Sequence, residues 1–260
     1  MSVEGDFLVF DSGKLINFDK TDKTPLSVAD SWLLEDGRVR SLDRHFSRFQ
    51  KWVNSIEPID EKVLTEFFSS VRDILPKKGE WFPRIEFREQ SSLGERLFLR
   101  IRPAPERTEF LDLWSFPEPD PRENPLIKGP DLSLCQQLRR KANLHGADEA
   151  VLLDKQGYIA DGALSSILWW RGDSLCAPDN STNWLESITR QELFELAAQA
   201  GFETVQERCK PSDLEGLEVW SVSSLQGVRG VRNWNGLNLG ETKKLASFRK
   251  RLQLLSAPVG

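Results

Sequence analysis

The sequence predicts a two-domain chain: a small N-terminal α+β domain over residues 1–114 and a larger C-terminal mixed α/β domain over 126–260. Three observations lead there. The stretch SFPEPDPRENP at 115–125 holds four prolines and no regular periodicity, as expected of a linker. Before it, segments with helical spacing of apolar residues are followed by segments that alternate like strands; after it, helix and strand signals interleave. The composition, 39% hydrophobic and 29% charged with nine Trp and fifteen Phe in 260 residues, belongs to a globular chain with a sizeable core.

In the first domain SLDRHFSRFQKW and IDEKVLTEFFSSVRDIL read as helices, and WFPRIEFR and ERLFLRIRPAP as strands. Arg84, Glu86 and Arg88 share one strand face, as do Arg96, Arg100 and Arg102, the routine pattern of a solvated sheet face. In the second domain DLSLCQQLRRKANLHG is a helix ending at Gly146, EAVLLD a short apolar strand, and GALSSILWWRGDSLCA a hairpin turning at Arg171-Gly172-Asp173. ITRQELFELAAQAG is a helix with Thr189 and Glu192 as a capping box and Gly201 as its stop. Strands FETVQE and LEVWSVSS follow, then a charged helix around TKKLASFRKRLQLL. Trp169-Trp170 and Trp234 fit either a core or a subunit interface.

Charge and composition narrow the function. A net charge of −5 provides no overall basic field for nucleic acid or an anionic membrane surface. Cys135, Cys176 and Cys209 are odd in number and widely spaced, which argues against a disulfide framework or a cysteine metal site and for a reducing compartment. The start, MSVEGDFLVF, is acidic where a signal peptide is basic, and no apolar run reaches membrane-spanning length. A cytoplasmic location is expected. With only His45 and His145, little room remains for His-rich metal sites or Ser-His and Cys-His catalysis.

Five segments carry the chemistry: Lys128 in LIKGPDLSL, HGADEAVLLDKQGYIADG at 145–162, LESITRQELFELAAQAG at 185–201, SVSSLQGVRGV at 221–231, and SLDRHFSRF at 41–49. In order and spacing they resemble the fold-type IV pyridoxal-phosphate enzymes, the family of branched-chain and D-amino-acid aminotransferases and 4-amino-4-deoxychorismate lyase. The resemblance spans both domains and is most specific from Lys128 to Arg190. It implies the D-amino-acid aminotransferase-like fold, pyridoxal 5'-phosphate as cofactor in the cleft between the domains, and a homodimer.

By this resemblance Lys128 is the Schiff-base lysine. Its neighbours Leu126, Ile127 and Pro130 suit that role, because desolvation lowers the pKa of an amine. Asp161 stands where the family has a glutamate that holds the proton of the pyridine nitrogen. Ile188 and Thr189, at the start of a helix, match a phosphate-binding turn, Ser224 a second polar phosphate contact, and Arg48 the arginine of an H-x-x-R pattern that reaches the phosphate. Arg84 is the candidate for gripping a substrate carboxylate. The hairpin departs from the family pattern at Asp161, at Ser166-Ile167-Leu168 and at Ala177.

Three functions follow in order. The lysine lies twenty residues before Asp148, the spacing of the lyase branch, and Ser133 occupies the place of a tyrosine found in many family aminotransferases. The first reading is therefore cleavage of 4-amino-4-deoxychorismate to 4-aminobenzoate and pyruvate, a step of folate synthesis. The second is an amino-acid aminotransferase of the branched-chain or D-amino-acid type, and the third a non-catalytic descendant that binds a phosphate ligand.

Overall fold

The computed structural model describes residues 6–18, 24–92 and 95–260; residues 1–5, the acidic opening of the N-terminal reading above, lie outside them. The chain divides into two compact units, one of Met1–Glu106 with Ile127–Pro130 and Leu255–Gly260, the other of Arg107–Leu126 with Asp131–Leu254. This differs from a cut at 115–125 in two ways: the crossing comes earlier, and the short segment holding Lys128 packs with the first unit.

The first unit contains β1 (Asp6–Asp11), β2 (Lys14–Asn17), β3 (Val28–Ser31), β4 (Leu34–Glu35), β5 (Arg38–Arg40), α1 (Leu42–Ile56), α2 (Glu61–Ile74), β6 (Glu80–Trp81), β7 (Arg84–Phe87) and β8 (Leu97–Ile101). An antiparallel sheet runs in the order β2-β1-β8-β7-β3. Alternation puts Leu8 and Phe10 of β1, Ile85 and Phe87 of β7 and Leu97 and Leu99 of β8 in one core. Helix α1 adds Leu42, Phe46, Phe49 and Val53, and α2 adds Leu64, Phe67 and Val71, the i, i+3, i+4, i+7 stripe that the sequence spacing demands. The stretch WFPRIEFR, expected as one strand, breaks into β6 and β7 around Pro83, which has no N–H for a ladder.

The second unit contains β9 (Phe110–Pro119), α3 (Leu132–Leu144), β10 (Glu149–Leu153), β11 (Ile159–Gly162), β12 (Ser166–Arg171), β13 (Ser174–Pro178), α4 (Ile188–Gln199), β14 (Glu203–Glu207), β15 (Glu218–Ser223), β16 (Gly227–Trp234) and α5 (Leu245–Leu254). A last strand, β17 (Ser256–Pro258), returns to the first unit and pairs with β5. The large sheet runs β11-β10-β9-β16-β15-β12-β13-β14, with β9 parallel to both of its neighbours.

Ser115–Pro119, expected as linker, is therefore strand. Its partner β16 pairs only with Phe110–Leu113, whereas β10 follows it to Pro119. Pro117 and Pro119 fall where the strand is paired on one side, the position that tolerates a residue without an N–H. Asp120–Pro125 stays irregular.

Adjacent residues of β12 serve opposite faces. Trp170 packs with Trp220 and Phe248 beneath α4 and α5, while Trp169 joins Leu113, Val219 and Trp234 on the other side. All four tryptophans are buried, so Trp169, Trp170 and Trp234 are core residues of this chain. The hairpin turns at Gly172 with φ 64°. The N-cap of α4 is Ser187, whose side chain accepts from the Arg190 N–H; Thr189 lies inside the helix, so the expected Thr189/Glu192 box is corrected by two residues. Among the described residues no helix is long and apolar enough to cross a membrane, and no group of three or more His, Cys, Asp or Glu is placed to hold a metal ion.

One glycine fixes where Lys128 sits. The Lys128 carbonyl accepts from the Ala29 N–H at 2.6 Å, which ties the segment to β3. Gly129 has φ 149°, and a Cβ there would lie 2.9 Å from the Val28 Cα and 3.0 Å from the Ser27 carbonyl oxygen. Both obstacles are backbone and cannot swing away. Gly129→Ala is expected to destabilise the protein by about 2 kcal/mol or more, read as a lower denaturation midpoint; an unchanged midpoint would refute the tight approach.

Candidate functional site

In the first unit the side chain of Arg48, on α1, is directed to Asp30 on β3. Its Nε donates to Oδ2 and its Nη2 to Oδ1, both at 2.8 Å, and His45 Nδ1 lies 2.7 Å from Oδ1. The spacing of three residues sets His45 and Arg48 on one face of the helix. Asp30 is fully buried. Burial pushes its carboxyl up, but Arg48 and His45 pull it down further, well below the usual carboxylate range. Arg48 is thus fixed in orientation by a bidentate contact.

The face of β7 and β8 expected to be solvated is not. Glu86 is buried, and Arg84 Nε and Nη2 donate to its Oε1 at 2.7 and 2.5 Å, Arg88 Nε and Nη2 to its Oε2 at 3.1 and 2.7 Å. Arg100 approaches at 3.5 Å and lies over the Phe7 ring, 4.3 Å from its centroid. One carboxylate therefore organises three guanidinium groups, a net positive cluster. Arg84 is held with Nη1 as the nitrogen not engaged by Glu86.

Around Lys128 the expected apolar wall is only partly present. Ile127 packs against the core of the first unit, but Leu126 is 47% exposed and Pro130 is exposed as well. Lys128 itself is half-buried.

In the second unit Asp161, on β11, is 3% exposed. Its Oδ2 accepts the Leu185 N–H at 3.0 Å and lies 3.4 Å from Arg122 Nη1. Its Oδ1 is buried without any hydrogen-bond partner. Burial raises the carboxyl above its ordinary value, against the lowering influence of Arg122, the Leu185 amide and the nearby Ser166 hydroxyl. The Leu185 contact brings Asp161 to the entrance of α4, where Ile188 and Thr189 are buried at the first two helical positions. Ser224 lies in the turn between β15 and β16.

Sequence reasoning missed Asp30, Arg122 and Glu149. Arg122 sat in the presumed linker, with Asp120 two residues before it as its only local signal. Glu149, in the GADEAV segment, is buried at the start of β10; its Oε2 accepts from the Ser165 hydroxyl at 3.3 Å. Burial raises its carboxyl from 4.5 to about 7, although Arg229 and Arg139 oppose this. A raised folded-state value means that the folded protein binds the proton more tightly, so stability falls as pH rises from the unfolded value toward 7. Glu149→Gln should remove that slope, a difference on the order of 3 kcal/mol between the two limits, measured as denaturant stability from pH 4 to 8. Parallel pH profiles for the variant and wild type would contradict the assignment.

Residues 27–234 match the family model described as amino-transferase class IV. A probable branched-chain-amino-acid aminotransferase of Rickettsia bellii is 31% identical over 123 residues, which cover 47% of this chain and 41% of that protein. The match therefore spans less than half of this curated relative. Among solved structures, a hypothetical aminotransferase from Mycobacterium tuberculosis in a PLP-bound form superposes with TM-score 0.81 at 18% identity, covering 96% of this chain and 98% of that one. The Escherichia coli branched-chain amino acid aminotransferase gives 0.78 at 19%, covering 96% and 92%. The fold agrees over nearly the whole length, and the family match runs over residues 27–234, the range that contains Asp30, Arg48, Lys128, Asp161 and the start of α4: the chain is a member of the class IV aminotransferases.

Proposed function

We propose that this protein is a pyridoxal-phosphate-dependent amino-acid aminotransferase acting on a small amino acid. The observation that carries the reading is the partnerless Oδ1 of Asp161. A buried carboxylate oxygen with no donor costs free energy, and a protonated ring nitrogen is the donor that would satisfy it. The same carboxylate is fastened through Oδ2, so one oxygen is held by the protein and one is left for a ligand.

When bound, pyridoxal phosphate supplies an electron-withdrawing ring that stabilises negative charge at the substrate α-carbon. Asp161 would hold a proton on the ring nitrogen. Lys128 would provide the amine that carries the cofactor and would then move protons at the α-carbon as general acid and base. The N–H groups of Ile188 and Thr189, the Thr189 and Ser224 hydroxyls and the Arg48 guanidinium would hold the phosphate; Ser187 already occupies the Arg190 N–H, which leaves the first two amides for an anion. Arg84, braced by Glu86, would bind a substrate carboxylate. A homodimer in the cytoplasm belongs to the same reading.

The named relatives are aminotransferases, which supports transamination over the lyase reaction favoured by the lysine spacing and Ser133. The test is a half-reaction: single amino acids, including branched-chain L- and D-forms and glutamate, are added to the cofactor-loaded protein without an acceptor. Conversion of the visible chromophore with release of one equivalent of oxo acid supports transamination. Pyruvate release from 4-amino-4-deoxychorismate, with no half-reaction, would replace it by the lyase.

A further inference from the structure

Behind Asp161 lies a second buried layer that neither the sequence reading nor the family resemblance assigned. Arg122 is almost fully covered, and its Nε and Nη2 grip the Asp120 carboxylate at 3.0 and 2.7 Å. Nη2 also donates to the Asn183 carbonyl at 2.8 Å. The guanidinium is thereby locked in place by partners other than Asp161, and Nη1 is the nitrogen turned toward Asp161 Oδ2. Oδ2 is held from a second side by the Leu185 amide. With Oδ2 pinned twice, rotation of the carboxylate is restricted, and Oδ1 has one direction in which to face.

We propose that Arg122 is the positioning residue for the cofactor's ring nitrogen: acting through Asp161, it orients Oδ1 and favours the charged form of that carboxylate, which holds the proton on the ring. The inference rests on the cofactor reading above. Its physical basis is a competition. Full burial favours the neutral acid, and a guanidinium within hydrogen-bond reach favours the anion. Asp120, which also faces the site and opposes ionisation of Asp161, has its own charge absorbed by the Arg122 fork, so the triad carries one net negative charge rather than two. Arg190, on α4, is a second guanidinium that interacts electrostatically with Asp161; it is committed to the Pro178 carbonyl at 2.9 Å and stacks over Trp184, so it cannot swing in as a substitute. If Arg122 lost its charge, burial would raise the Asp161 carboxyl further with its main opponent gone, and the hold on a pyridinium would weaken.

The test compares wild type with Arg122→Gln, Arg122→Lys and the double variant Asp120→Asn/Arg122→Gln. The double variant removes both partner charges together and guards against misfolding caused by an uncompensated Asp120. The first readout needs no cofactor: the infrared carbonyl band of protonated Asp161, identified by its absence in Asp161→Asn, is followed against pH. The second is the dissociation constant for pyridoxal phosphate. The expected result is an Asp161 midpoint at least about one pH unit higher in Arg122→Gln and in the double variant, with affinity weakened about tenfold or more, the equivalent of that shift. Arg122→Lys should recover most of the midpoint shift, since it restores the charge, but less of the affinity, since a point charge lacks the fork. Should folded variants titrate and bind as wild type does, Arg122 is a strut and the inference fails while the cofactor reading stands. A wild type that binds no pyridoxal phosphate would instead overturn both.

Discussion

Asp30→Ala is expected to destabilise the protein by about 3–5 kcal/mol, the usual result of removing one partner of a buried ion pair. For a chain of this size that lowers the melting temperature by roughly 10 °C. The reason is the geometry around one carboxylate: Arg48 uses two nitrogens on Asp30 and His45 a third contact, and all three residues are buried. The Ser31 N–H also donates to Asp30 Oδ1 at 2.7 Å, so removing the carboxylate leaves a guanidinium, a ring nitrogen and an amide to find other partners. The pH dependence has a definite sign. A folded-state value held below the unfolded one contributes stability that is present above the unfolded carboxylate range and is lost as pH falls through it. Wild type should therefore lose this contribution below about pH 4, and Asp30→Asn should show a flatter acid limb. If Asp30→Ala melts within a degree or two of wild type, the cluster is not what holds Arg48 in place.

Lys128→Ala should have the opposite profile: a large loss of activity with little loss of stability. On the proposed reading, removing the amine would delete both the covalent anchor and the group that moves protons, and the general acid/base part alone is worth about 10²- to 10⁴-fold. The segment is docked by backbone, through the Lys128 carbonyl and Gly129 against β3, and the side chain is only half-buried. Stability should stay within about 1 kcal/mol of wild type. Turnover and the melting curve, measured on the same preparation, check the two halves together. A variant that keeps wild-type turnover would remove Lys128 from the chemistry.

These two predictions also show what the sequence could and could not reveal. The helices α1 and α2 were legible because Leu42, Phe46, Phe49, Val53 and Leu64, Phe67, Val71 repeat with helical period. The β12–β13 hairpin was legible because Arg171-Gly172-Asp173 punctuates two apolar runs. Strand β9 was not, since Pro117 and Pro119 look like linker residues unless one knows that the strand has lost its β16 partner by that point. Ser187 was overlooked as the cap because Thr189 satisfies the same local pattern two residues later; only the backbone conformation separates them.

Among the candidate residues, Lys128, Asp161 and Arg48 are proposed from order and spacing, but the residues that contact Arg48 and Asp161 carry no such signal. Asp30 lies fifteen and eighteen residues from His45 and Arg48, and Arg122 lies thirty-nine from Asp161. No local pattern links such pairs. The alternation of Arg84, Glu86 and Arg88 is visible in the sequence, but it points to a solvated face, because a charged strand face is ordinarily wet. Glu86 shows the other solution, in which several arginines neutralise one buried carboxylate and keep it in place.

The central claim is that Lys128 carries pyridoxal phosphate. The most direct measurement is to load the purified protein with the cofactor, reduce it with borohydride, digest it and locate the modified residue by mass spectrometry. A phosphopyridoxyl group on the peptide containing Lys128, absent from the Lys128→Ala control, is the result predicted here. A wild-type protein that stays colourless with excess cofactor, or a label spread over surface lysines and unchanged in Lys128→Ala, would contradict it.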